Sequence, residues 1–140
     1  MSVVAQASVH IHADRANAWR ALTDPELITQ YLYGTQVETD WSVGGPIRYR
    51  GVWEGKPYED KGTILEFDEP NRIVSTYYSP LSGKADVPES YQNVTYALED
   101  DGDGVRVTVI QDGNSDEAEA ARSTANWTTV LEGMRDLLER

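Results

Sequence analysis

From Val3 to Ile11 apolar and polar positions alternate, with Ala5, Ala7, Val9 and Ile11 on one side and Gln6, Ser8, His10 and His12 on the other. This is the period-two pattern of a half-buried strand. The period then lengthens: Ala16, Trp19, Ala21 and Leu22 recur at helical spacing up to Thr23, behind Asp14, whose side chain suits an N-cap. Asp24-Pro25-Glu26 restarts a helix, with Asp24 as cap and Pro25 at the first helical position, where its missing N–H costs nothing. After Gly34 the strand pattern returns in Gln36 to Trp41, Ile47 to Trp53, Lys61 to Phe67, Arg72 to Ser79, Ser90 to Glu99 and Val105 to Asp112. The separators Val43-Gly-Gly-Pro46, Glu54-Gly-Lys-Pro57, Asp68-Glu-Pro-Asn71 and Asp100-Asp-Gly-Asp-Gly104 are turn material. Strands joined by such short turns pair antiparallel.

Asp116 to Arg140 changes period again. Ala120, Trp127, Val130, Leu131, Met134, Leu137 and Leu138 form one stripe, and most charged side chains lie elsewhere. Asp116 with Glu119 three residues on has the form of a capping box. A helix of about 22 residues spans about 33 Å, enough to cross a small sheet. The order strand, two short helices, six strands, long helix predicts an α+β helix-grip fold: one domain over residues 1–140, with a curved antiparallel sheet wrapped around the C-terminal helix.

Within that frame the faces of the strands can be assigned. Val94, Tyr96 and Leu98 share one side of their strand, and Ile47, Tyr49 and Trp53 share one side of theirs. If these are the concave faces they converge beneath the helix, and Arg48 and Arg50 point to solvent, where burial does not penalise a guanidinium. The aromatic set is rich in Tyr and Trp, with a single Phe in the chain. Such side chains combine an apolar body with a polar tip and suit a cavity that wraps a ligand and orients it. The candidate ligand-binding residues are Tyr31, Ile47, Tyr49, Trp53, Tyr77, Val94, Tyr96, Trp127 and Leu131. Trp19 and Trp127, on amphipathic helices, read first as core.

Composition narrows the partners. The net charge of -12 and the absence of a basic stripe speak against nucleic acid and anionic lipid. Without cysteine there are no disulfides or thiolate metal sites. No export signal or membrane span is expected, which makes a cytoplasmic address the expectation and the sequons at Asn93 and Asn126 chance matches. His10 and His12 share a strand face, but no third ligand is evident, so no metal and no cofactor are expected. With these the only histidines, a Ser-His-Asp arrangement is disfavoured too. Asp100 to Gly104 reads as a hairpin turn rather than a calcium loop, and Gly44-Gly45 as a bend rather than a phosphate cradle. Glu66 and Glu99 are carboxylates that could do acid-base work if desolvated; for Glu66 an ion pair with Arg48, Arg50 or Arg72 is the favoured role.

Five blocks carry a family resemblance: Ala18-Trp-Arg-Ala-Leu-Thr-Asp-Pro-Glu26, Trp41-Ser-Val-Gly-Gly45, Gly62-Thr-Ile-Leu-Glu-Phe-Asp-Glu-Pro-Asn-Arg-Ile73, Val94-Thr-Tyr-Ala-Leu98 and Asn126-Trp-Thr-Thr-Val-Leu131. In this order they resemble the START-like (SRPBCC) superfamily of lipid-transfer, polyketide cyclase and pollen-allergen-like proteins. Within it they resemble the family named after the activator of the heat-shock protein 90 ATPase. The resemblance implies a scaffold that different lineages use for different ligands. The function expected here is non-enzymatic binding of a small hydrophobic or aromatic molecule between sheet and C-terminal helix. The alternatives are an enzyme of polyketide cyclase type acting on an aromatic substrate, and a chaperone-interacting module. A chaperone or a second copy of the chain is the candidate protein partner.

Overall fold

A computed structural model describes residues 3–140. Strand β1 (Val3–Ile11) leads through helices α1 (Arg15–Thr23) and α2 (Pro25–Tyr31) to β2 (Gln36–Thr39), β3 (Pro46–Trp53), β4 (Lys56–Asp68), β5 (Arg72–Tyr77), β6 (Gln92–Asp101) and β7 (Gly104–Asn114). The long helix α3 (Glu117–Leu138) follows. The strands form one sheet in the order β1-β7-β6-β5-β4-β3-β2, every pair antiparallel. This is the helix-grip α+β architecture that the sequence predicts.

The helix starts follow from the caps. Asp14 accepts from the Asn17 N–H at 2.7 Å, and Asp24 from the Glu26 N–H at 2.9 Å. At α3, Asp116 accepts from the Glu119 N–H at 2.8 Å while the Glu119 carboxylate reaches back to the Ser115 N–H. These bonds satisfy N–H groups that a helix leaves without internal partners.

The alternation in β1 maps onto burial: Ala5, Ala7, Val9 and Ile11 are buried. They pack with Val105, Val107 and Val109 of β7, Leu98 of β6, Trp19 and Leu22 of α1, and Leu131 and Met134 of α3. A second cluster joins Ile28 of α2 to Val37, Ile47 and Ile64 on the far strands. The register slips between Ile64 and Glu66, leaving Leu65 without a partner on β5 and 46% exposed. An extra residue of this kind bends a strand and increases its twist.

Several strand boundaries differ from the sequence pattern, three of them for an identifiable reason. Strand β2 stops at Thr39 because Trp41 takes a left-handed φ of 62°, which turns its ring against Phe67 with centroids 5.6 Å apart. Strand β5 stops at Tyr77, since Ser79 caps a short 3-10 turn over Pro80–Ser82. The largest difference is in β4, which starts at Lys56 rather than Lys61. Glu54 and Gly55, with φ of 50° and 78°, close the β3–β4 hairpin in two residues, so Lys56 and Pro57 pair with Trp53 and Val52. A glutamate in the left-handed region is an uncommon choice for such a turn.

Candidate ligand-binding cavity

The convergence of β3, β5, β6 and α3 leaves a cleft of about 740 Å³ on the concave side of the sheet. Pockets for small molecules run from roughly 300 to 1,000 Å³. Of the residues expected from sequence, Tyr49, Tyr77, Val94, Tyr96 and Trp127 line its walls, and Trp53 stands at its rim, 57% exposed. Tyr31, Ile47 and Leu131 do not reach the cleft. They line a deeper void of about 30 Å³, which Tyr49, Tyr96 and Trp127 separate from the cleft by contributing to both linings. Ile47 and Leu131 are buried core residues.

The inward positions follow from pairing. In β3 the odd-numbered residues face inward: Ile47 is buried, Tyr49 lines the cleft, and Arg48 and Arg50 lie on the other side in ion pairs with Glu59 and Glu38. Gly51 offers no side chain, and the Tyr58 ring of its cross-strand partner covers it, with the Tyr58 and Thr35 hydroxyls 2.6 Å apart. In β6, Val94, Tyr96 and Leu98 face inward as expected; Val94 and Leu98 are buried and Tyr96 reaches the cleft.

The aromatic walls meet edge to face. Tyr49 and Tyr77 lie 6.0 Å apart between centroids at 68°, and Tyr96 and Trp127 lie 5.8 Å apart at 85°. Such pairs are favoured because ring edges and faces carry opposite partial charge. Burial pushes the Tyr49 hydroxyl up to about 12. Burial also holds Tyr31, Tyr77 and Tyr96 well above the ordinary phenol value, with the Asp60 carboxylate adding to the effect at Tyr77. All four are therefore neutral at physiological pH.

Several polar residues of the lining were not among the expected ones, and Asp60 and Gln111 are two whose hydrogen bonds shape the cleft. Asp60 is 8% exposed and accepts from the Tyr77 hydroxyl at 2.6 Å through Oδ2, while Oδ1 has no partner among the described residues. Gln111 is a junction: its Oε1 accepts from Trp127 Nε1 at 2.7 Å and from Ser123 Oγ at 2.9 Å, and its Nε2 donates to Gln92 at 2.7 Å. That junction ties α3 to β7 and β6 and fixes the Trp127 ring. Pairing was the signal that could have located both. Asp60 stands opposite Tyr49, and Gln111 opposite Val94, so each must share its partner's inward face. The mouth is edged by Tyr33, Val52, Trp53 and Leu81, all more than half exposed.

The remaining candidates lie elsewhere. Glu66 pairs with Arg72 at 2.9 Å, one of the expected arginines, and Glu99 is exposed. His10 stands on the outer face of β1 and His12 just past its end, and the β1–β7 register sets the turn of the β6–β7 hairpin beside them. Asp103 of that turn approaches His10 Nε2 at 3.3 Å and His12 Nδ1 at 3.1 Å, so the third donor that the sequence did not reveal is present. His10 Nδ1 faces Asp101 at 2.9 Å, and Arg106 closes the group from the other side of Asp101. These contacts make a polar cluster at the surface, among residues that do not line the cleft. Among the described residues no helix is long and apolar enough to cross a membrane.

Residues 12–139 match the family described as Activator of Hsp90 ATPase homolog 1-like protein. Among solved structures, ChR145 from Cytophaga hutchinsonii is 44% identical, with 98% of this chain and 94% of that one covered and a TM-score of 0.85. The Aha1 dimer from Colwellia psychrerythraea is 15% identical, with 98% and 96% covered and a TM-score of 0.74. DynU16, a protein of the dynemicin biosynthetic locus, is 18% identical with a TM-score of 0.79, and this chain spans 97% of its own length but 47% of DynU16. No match is found among curated proteins.

Proposed function

Since the chain belongs to the Activator of Hsp90 ATPase homolog 1-like family, we propose that it uses this scaffold to bind one small, largely apolar or aromatic molecule in the cleft between the sheet and α3. The observation that carries the reading is the cleft itself: about 740 Å³, walled by Tyr49, Tyr77, Tyr96 and Trp127 and open at an apolar rim. Burying aromatic or aliphatic surface there gains roughly 25 cal/mol per Å² removed from water, and the polar tips on the walls set orientation. The rigid sheet and the Gln111 junction hold the walls in place before a ligand arrives, which lowers the ordering cost of binding.

Native mass spectrometry of the freshly purified protein tests this reading. The expected result is a bound small molecule in one-to-one ratio, lost when Tyr96→Trp fills the cleft while the fold is retained. An empty protein that also fails to take up any apolar probe contradicts it.

A second reading, acid-base chemistry on a bound substrate, draws support from one feature, the Tyr77 hydroxyl donating to Asp60 inside the cleft. A general acid or base needs this kind of desolvated, hydrogen-bonded position. Turnover of aromatic substrates that is abolished by Tyr77→Phe, with binding retained, distinguishes it from simple binding.

A further inference from the structure

Resting on the cavity reading above, we infer that Asp60 anchors a cationic head group, so that the ligand class is an aromatic or aliphatic body carrying a protonated amine. Asp60 is buried to more than nine-tenths, and its two oxygens differ. Oδ2 accepts from Tyr77 at 2.6 Å, a short hydrogen bond that occupies this oxygen. The proton belongs to Tyr77 in this pair, whose hydroxyl is held far above its ordinary range by burial and by Asp60 itself. Oδ1 is left with no protein donor among the described residues. A buried carboxylate oxygen without a donor is unfavourable, so solvent or a ligand must supply one.

The cleft holds no cation that could supply it. No Lys, Arg or His is among the residues that line it, and Asp60 is the one carboxylate there. On β3 and β4, Lys61 and its cross-strand partner Arg48 face the opposite side of the sheet, where Lys61 pairs with Asp86 at 2.7 Å and Arg48 with Glu59 at 3.2 Å. Nor is the position an accident of one rotamer. Pairing with Tyr49 commits Asp60 to the inner face, and only a shift of the β3–β4 register would remove it. The surroundings favour a cation over a neutral donor. Tyr49, Tyr77 and Tyr96 line the same cleft as Asp60, and aromatic walls are compatible with a cationic group. The net charge of -12 draws cations to the mouth and repels anions.

Four naphthalenes that share one body and differ in head group test the assignment: naphthylmethylamine, naphthol, methylnaphthalene and naphthoate, titrated at neutral pH against tryptophan fluorescence of the whole chain. The amine is expected to bind about tenfold or more tightly than methylnaphthalene, the gain of one charge-assisted hydrogen bond, with naphthoate weakest. Asp60→Asn erases the advantage of the amine, whose affinity falls to within about twofold of that of methylnaphthalene for the same variant. Tyr77→Phe, which keeps the carboxylate and frees its second oxygen, preserves or enlarges that advantage, so the inference stays testable if the Asp60 variant does not fold. Equal affinities across the series, tighter binding of naphthol or naphthoate, or loss of the amine's advantage in Tyr77→Phe overturns the anchor while leaving the cavity reading intact. Failure of all four to bind overturns both.

Discussion

Tyr49, Tyr77 and Tyr96 share the cleft with Asp60, and their hydroxyls must stay neutral in the folded state. A group held above its ordinary value by folding contributes stability that is complete below that value and is lost as pH rises through the folded one. For Tyr49 the ordinary value is 10.0 and the folded value about 12. The protein is therefore expected to lose stability between about pH 10 and pH 12, with the tyrosinate absorbance of the buried residues appearing together with unfolding. Absorbance and circular dichroism followed in one alkaline titration check this. Smooth ionisation of every tyrosine near pH 10, with the fold intact, contradicts it. A second residue-scale prediction concerns Gly62. A Cβ there would lie 1.8 Å from the Thr76 carbonyl oxygen of β5, so the backbones cannot keep their spacing. Gly62→Ala is expected to cost about 3 kcal/mol in a denaturant melt, at the upper end of overpacking effects. At this scale the sequence was legible where alternation alone sets the face, as for Tyr96, and silent where a cross-strand partner does. Asp60 reads as one more surface acid until its register against Tyr49 is known.

The elements were read from caps and periods, and most survive in the structure because those signals are local. Asp14, Asp24 and Asp116 each accept the N–H that their positions anticipate. Asp116→Ala is expected to lower stability by about 1 kcal/mol, the usual cost of a lost N-cap, as measured by thermal or denaturant melts. A loss within a few tenths would mean that α3 is held by its buried stripe alone. That stripe is uneven. Val130, Leu131 and Met134 are buried, whereas Trp127 is partly buried and spans core and cleft. Trp127→Ala is expected to destabilise by about 3 kcal/mol, because it removes ring contacts with Tyr96 and takes one donor from Gln111. Trp127→Phe, which keeps an aromatic body, should cost less than half as much. The start of β4 was not legible for an identifiable reason. Glu54-Gly-Lys-Pro57 carries two residues typical of turns, yet the chain turns at Glu54 and Gly55 alone. Asp60 lay just outside the expected strand in consequence, and the one carboxylate of the cleft went unrecognised.

For the molecule as a whole, the strand and helix order specified the architecture, since short turns allow only antiparallel neighbours and α3 alone is long enough to cross the sheet. What the order could not give is where the interior is filled and where it is open. Core clusters tie α3 to β1, β7 and the first helices, and a second set of buried residues fills the space between α2 and the far strands. The cleft is the remainder, bounded by tyrosines too large to ignore and too few to close it. Tyr31, Ile47 and Leu131 belong to the filled part, around the small deep void. The central claim, that this remainder receives an apolar ligand, is tested most directly by titrating the native protein with the neutral dye Nile red. One saturable site with strong brightening is predicted, weakened about tenfold by Tyr96→Ala, a loss of aromatic contact in a desolvated wall, and unchanged by Arg50→Ala on the outer face. No brightening with the native protein, or an Arg50→Ala effect larger than that of Tyr96→Ala, would contradict the account.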